Sequence, residues 1–276
     1  MNRGRNEKLN LLKILALGIA ILFALPAILA VAASLLPVGE IVQPDWLLAL
    51  RRPDWGNYLL LFETVPFGRY LSNSFLVVIL GVPLSLLFAS LAGYALSRLQ
   101  QPWRRWLVIF AIVTMVVPPS AVWLLRFQAF SQIGLVDSLL ALIVPALAGG
   151  NSLFVLIYFW AWRQVPFELF EAAEIDGAGF LASWWRVALP LVHPATTAVT
   201  LLAFTLFWGN FIEPVLFIYD PANYTLPVGL QLLNQLDSTN RPLLMAGAVV
   251  AMLPPIVLFA LTQRWFLHGW VERADG

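Results

Sequence analysis

Residues Glu171–Pro190 read EAAEIDGAGFLASWWRVALP. The stretch is polar, yet it lies in a chain that is 61% hydrophobic and only 11% charged. Pro166 suits the first helical position, where its missing N–H is an orphan anyway. Glu168 then falls in the first turn, at the positive end of the helix dipole. Phe167, Phe170, Glu171 and Glu174 follow at i, i+3, i+4 and i+7, so they share one flank. Ala172 and Ala173 lack bulk, which lets another surface approach the backbone. Gly177 is the expected left-handed stop, and Gly179 is a second hinge. Phe180–Arg186 is expected as a further short helix carrying Trp184 and Trp185, ended by Leu189–Pro190. A helix lying on lipid usually carries Lys and Arg on its polar face. This one carries Glu171, Glu174 and Asp176, an acidic face suited to a protein partner.

Outward from this stretch the chain reads as membrane-embedded. Soluble domains carry about 25% charged residues, and at less than half that share the chain could not cover itself with a wettable surface. A spanning helix needs about 20 mainly apolar residues. Six segments qualify: Leu11–Leu36, Phe75–Leu96, Trp106–Leu125, Leu139–Phe159, Pro194–Ile218 and Leu243–Phe266. The first is too long for a signal-peptide core and is expected to be retained. Gly149, Gly150 and Asn151 interrupt the fourth. Pro118–Pro119 and Pro254–Pro255 lie inside the third and sixth, where freed carbonyls need partners within the protein.

Lys and Arg placement orients the spans. One side holds eleven: Arg3, Arg5, Lys8, Lys13, Arg98, Arg104, Arg105, Arg163, Arg186, Arg264 and Arg273. The other holds five: Arg51, Arg52, Arg69, Arg126 and Arg241. Both termini and the 171–190 loop are therefore expected in the cytoplasm. Trp46, Trp55 and Tyr58, in the long loop after the first span, read as interfacial anchors.

Several chemistries are excluded. The net charge is +1, too small to suggest a nucleic-acid partner. There is no cysteine, hence no disulfide or thiol nucleophile. The chain has no phosphate-cradling P-loop, no H-E-x-x-H and no G-x-S-x-G elbow. His193 and His268 are too few for a histidine metal cluster. The expectation is a subunit that is not an enzyme.

The pattern E-A-A, then D-G three residues on, then a β-branched residue and L-P is met by Glu171, Ala172, Ala173, Asp176, Gly177, Val187, Leu189 and Pro190. It resembles the EAA loop of binding-protein-dependent ABC importers, through which a permease docks on its ATPase. Other stretches are similar to the sugar-importing branch, which includes the smaller membrane subunit of the maltose importer. These are Asn73–Ser74, Tyr94-Ala-Leu-Ser-Arg98, Ile133-Gly-Leu135, Trp208–Pro214, Tyr224–Leu230 (YTLPVGL) and Met245–Ala248. The resemblance runs from about Arg69 to Gly269. It departs from the family in the tail after Gly269, which lacks G-A-x-K-G, and at Arg241–Pro242, where relatives often carry an aromatic residue.

The resemblance implies an all-α membrane protein with six transmembrane helices, the type I ABC importer permease architecture, and cytoplasmic termini. Residues 1–68 would be the N-terminal tail, first span and external loop. Residues 69–276 would be the permease core, with a cytoplasmic coupling loop at 164–190. The implied partners are a second related permease, two copies of an ABC ATPase, and a soluble extracytoplasmic binding protein. ATP and magnesium would be held by the ATPase, leaving this chain without a cofactor. The implied location is a bacterial or archaeal cytoplasmic membrane, and the implied cargo is an oligosaccharide, glycoside or polyol. Glycerol phosphate esters and polyamines are alternatives within the class. Outside it, an ion-coupled secondary transporter would need inverted repeats and matched intramembrane acids. Glu171, Ala172, Ala173, Asp176, Gly177, Leu189 and Pro190 are the expected coupling residues. Asn73, Asn151, Asn210 and Glu213 are candidates for the substrate path, Glu213 because an intramembrane acid is costly. A pairing of Glu213 with Arg126 would be its plainer role.

Overall fold

The computed structural model describes residues 2–37, 53–237 and 239–274, with side chains for 13–37, 53–237 and 239–263. Trp46, Arg51 and Arg52 lie outside the described residues, as do the side chains of Arg3, Arg5, Lys8, Arg264 and Arg273. Among the described residues there is no strand. Among these residues four helices are long and apolar enough to cross a membrane, or up to six if each of two bent pairs is one span.

The chain divides into two compact units. The first comprises residues 1–67 and 229–253. Here α1 (Asn2–Ser34) exposes its apolar side chains, Phe23 and Ile14 among them, as a lipid-facing helix does. A turn follows it, and α2 (Gly56–Thr64) returns. The buried Asn57 holds that turn, its Nδ2 donating to the carbonyls of Ser34 at 2.9 Å and Leu36 at 2.7 Å. Leu61, Phe67, Leu243 and Ala246 form the small core of this unit.

The second unit comprises residues 68–228 and 254–276. Its long rod is α3 (Phe67–Arg98), followed by α4 (Trp103–Val116) and α5 (Pro119–Gln132). The expected third span is thus two helices meeting at 95°. A residue before proline is pushed out of the helical region, and Val117 is extended, with φ −68° and ψ 118°. Pro119 then opens α5, where its missing N–H costs nothing. The same dipeptide at Pro254–Pro255 is carried inside a continuous helix.

The fourth span is broken where expected. Short α6 (Leu140–Ile143) and a 3₁₀ turn lead to Gly149 and Gly150, and α7 (Ser152–Trp162) resumes after them. α3 and α7 pack closely at Gly93, where a Cβ would lie 2.7 Å from Tyr158 Cβ and 2.8 Å from the Val155 carbonyl. Only glycine fits there. After α7 come α8 (Phe167–Ile175), α9 (Phe180–Leu191) and α10 (His193–Trp208). α9 and α10 meet at 86° around Val192. The fifth span was expected to run to Ile218, but α10 stops at Gly209 and α11 (Ile212–Phe217) follows as a separate turn. Across the break the Asn210 side chain accepts the Glu213 N–H at 3.3 Å. α12 (Leu226–Leu236) and α13 (Arg241–Ala274) complete the chain.

Candidate functional site: an acidic helix anchored to the end of a membrane rod

α8 begins one residue later than expected, with Pro166 as its extended N-cap and Glu168 in its first turn. Its end is a Schellman motif. The Ala178 N–H donates to the Ala173 carbonyl at 2.9 Å and the Gly177 N–H to the Glu174 carbonyl at 3.0 Å. Gly177 has φ +81°, the left-handed conformation this motif requires. Gly179, the second expected hinge, is extended, with φ −69° and ψ 171°, and stands as the N-cap of α9. α9 runs past the expected stop at Arg186, widening into a π-turn over Ser183–Ala188. Pro190 is therefore helical, in the first turn after that widening.

The two alanines of the motif differ. Ala172 is exposed, whereas Ala173 is buried against its own chain. Glu168, Glu171, Asp176 and Gly177 are exposed. Beside them lie exposed apolar side chains, Ile175 at 86% and Leu181 at 63%. Leu189 is half-buried and Pro190 exposed. Trp184 faces inward and Trp185 outward. An acidic and apolar face of this kind is left uncovered by the described residues.

Two residues of α3 hold this helix in place. Tyr94 and Arg98 are four apart and share a face. The Tyr94 ring lies 4.9 Å from that of Phe180, 5.5 Å from Trp162 and 5.8 Å from Phe170. Arg98 donates to Glu174 at 2.8 Å, and its guanidinium sits over the rings of Phe170 at 4.6 Å and Phe167 at 5.0 Å. Sequence reasoning noted Tyr94 and Arg98 but gave them no role. The signal was available in their i, i+4 spacing at the end of an apolar run.

The four candidates for a substrate path fall into three separate arrangements. Asn73 donates to the carbonyls of Ala222 at 3.0 Å and Tyr224 at 2.9 Å, while the neighbouring Ser74 accepts the Leu226 N–H at 2.8 Å. Asn151 caps α7, accepting the Leu153 N–H at 2.9 Å. Asn210 and Glu213 belong together: Asn210 Nδ2 donates to Glu213 Oε2 at 3.1 Å, and Arg126 pairs with Oε1 at 2.6 Å. The Arg126 guanidinium also stacks over Phe217 at 5.1 Å. Nearby, Asp137 secures the loop after α11. Its carboxylate accepts the N–H groups of Tyr219 at 2.9 Å and Asp220 at 2.7 Å, and its carbonyl accepts from Asn223 Nδ2 at 3.0 Å. Among the described residues no group of His, Asp and Glu could hold a metal ion.

Comparison with known proteins gives this geometry a family. The arabinooligosaccharides transport system permease protein AraQ of Halalkalibacterium halodurans is 29% identical over 255 residues, covering 91% of this chain and 90% of the relative. The sulfoquinovosyl glycerol transport system permease protein SmoH of Agrobacterium fabrum is 29% identical over 244 residues, covering 88% and 86%. The sn-glycerol-3-phosphate transport system permease protein UgpE of Yersinia pestis is 26% identical over 262 residues, covering 91% and 92%. Among solved structures, a chain of a bacterial ABC transporter that imports the acidic polysaccharide alginate superposes with a TM-score of 0.78 at 21% identity. That match covers 96% of this chain and 99% of the other, and it shows the shared fold. The family of binding-protein-dependent transport system inner membrane components matches residues 81–270, which include the whole of the anchored acidic helix. By that match, the chain belongs to the binding-protein-dependent transport system inner membrane components, multi-pass permeases of ABC importers.

Proposed function

We propose that this chain is one of two related permease subunits of an ATP-driven importer for a carbohydrate, as an oligosaccharide, glycoside or polyol. Two copies of an ATPase bind below and hydrolyse ATP, holding the nucleotide and its magnesium. A soluble binding protein delivers cargo from outside. The location is a bacterial or archaeal cytoplasmic membrane, with both termini in the cytoplasm. Residues 69–276 form the working core and residues 164–190 its coupling loop. The observation that carries the reading is α8: acidic on its exposed face, stopped at Gly177, and anchored by Tyr94 and Arg98 to a membrane helix.

The mechanism follows from that anchoring. ATP binding closes the ATPase pair, and a rigid helix seated on it moves as a body because packed elements shift rather than deform. Glu171, Ala172, Asp176 and Gly177 make the seat, and Ala173 packs inward to hold the helix. Leu189 and Pro190 carry the movement through α9 to the bend before α10. Opening alternates between the two sides of a path shared with the second permease. Asn210 and Glu213 are the path residues of this reading: Arg126 holds the Glu213 carboxylate, which in turn accepts from the Asn210 amide. Cargo is chosen largely by the binding protein. The names of the relatives AraQ and SmoH favour sugars and glycosides, and that of UgpE supports glycerol phosphate esters as the second reading.

Co-purification tests this. A C-terminally tagged chain extracted in mild detergent is expected to bring down a second permease and an ATPase. Uptake by the assembled system of labelled oligosaccharide, against labelled glycerol phosphate, then decides the cargo. Recovery of the chain alone, under conditions that preserve known importer complexes, would overturn the proposal.

A further inference from the structure

A cavity of about 690 Å³ lies where α3 and α7 end and α4 begins. Arg98, Arg104, Arg163 and Glu174 are among its walls. Three arginines and one glutamate are thus in its lining, an excess of two positive charges. Arg98 is already committed to Glu174. Neither Arg104 nor Arg163 pairs with a carboxylate among the described residues.

Two of the lining residues also carry unpaired donors. Arg98 Nη1 and Trp162 Nε1 are buried and have no hydrogen-bond acceptor. α4 opens there behind Pro102 with no side-chain cap. The Arg104 N–H donates to the Gln100 carbonyl at 3.2 Å, and the positive end of the α4 dipole lies there. On α4, on either side of Arg104 in the sequence, Trp103 is 71% exposed and Trp106 64%. Tryptophans so placed, at the ends of apolar helices, sit at the level of lipid headgroups.

We propose that this cavity binds the phosphodiester headgroup of an anionic phospholipid, held chiefly by Arg104 and Arg163, with the acyl chains leaving past Trp103 and Trp106. Basic pockets between membrane helices on the cytoplasmic side recognise such headgroups. The occupant differs in kind from the partner of α8, because the exposed face of α8 is acidic and this cavity is basic. A lipid reaches the cavity along the membrane plane, where Trp103 and Trp106 stand. The proposal goes beyond the import reading and does not depend on the cargo.

The test is native mass spectrometry of the full-length chain, with any companion subunits, titrated with phosphatidylglycerol and with phosphatidylcholine. Phosphatidylglycerol should bind the wild type more tightly than phosphatidylcholine. R104Q/R163Q should weaken phosphatidylglycerol by roughly 30-fold and R163Q by several-fold, with phosphatidylcholine unchanged. R105Q makes the same charge change at an exposed neighbour outside the cavity and should stay within about twofold of wild type. Equal affinity for the two lipids, no loss in R163Q, or an equal loss in R105Q would each overturn the proposal. R163Q and the lipid ratio decide the matter if the double variant does not fold. Displacement of the lipid by equimolar inorganic phosphate would assign the cavity to a soluble anion. Binding in the free chain that vanishes in the complex would assign it to a protein partner. Either result would overturn the lipid reading.

Discussion

At Gly177 the space is open and the backbone is not permissive. An added Cβ would meet nothing within 4 Å, yet φ is +81°. A β-branched residue there is strained by roughly 1–3 kcal/mol, while asparagine visits this conformation at lower cost. Gly177→Val should therefore reduce recovery of the ATPase in pull-down most, and Gly177→Asn should be intermediate. Equal recovery from both would separate the helix stop from docking. Asp137 is the one non-glycine residue with positive φ among those described, at +64°. Asp137→Ala removes the acceptor of two N–H groups and should cost about 1 kcal/mol, since the freed amides reach water. The expected readout is faster hydrogen exchange at residues 219 and 220, with Asp137→Asn closer to wild type.

At the scale of elements, the join between α3 and α8 is the informative one. Glu174 is 62% exposed and Arg98 20%. The ion pair is thus largely screened, and Glu174→Gln should change little, within about 1 kcal/mol. Arg98→Ala also removes the stacking on Phe167 and Phe170 and should loosen α8 by about 2 kcal/mol. Hydrogen exchange across residues 167–175 should be roughly 30-fold faster in that variant if exchange follows local opening. Similar exchange in the two variants would show that packing at Arg98 contributes nothing. The outer pair behaves differently, because Arg126 and Glu213 are 25% and 21% exposed. Losing one partner strands the other. Glu213→Gln should impair uptake, and Arg126→Gln in the same chain should restore part of the loss. Unchanged uptake kinetics in Glu213→Gln would remove that residue from the path.

Much of this was legible in the sequence, for reasons of chemistry. Apolar run length gave the helices, and Asp176–Gly177 gave the stop of α8, since glycine is the residue that the motif demands. The breaks were less legible. Pro118–Pro119 opens a helix while Pro254–Pro255 sits within one. The same dipeptide thus meets two outcomes, and a local pattern does not carry the choice. Asn73 and Asn151 looked like path residues and are engaged in holding backbone. Their polarity was visible, but their partners, 149 residues away for Asn73, were not.

At the scale of the whole molecule, the lack of cysteine makes orientation easy to measure. Asp176→Cys and Asp220→Cys each introduce a single thiol at an exposed position. In intact spheroplasts an impermeant maleimide should label residue 220 and spare residue 176 until the membrane is opened. Labelling of both from outside would contradict the side assigned by Lys and Arg counts. One further consequence comes from α3. It has 32 residues, so it is about 48 Å long. Near one end Tyr94 and Arg98 grip the acidic helix; near the other, Asn73 and Ser74 grip the loop at residues 222–226. The rod is a lever with a load at each end. With about 37 Å between the two grips, a tilt of about 5° displaces one by about 3 Å relative to the other. That is enough to break hydrogen bonds, so neither loop can reposition without the other registering the torque.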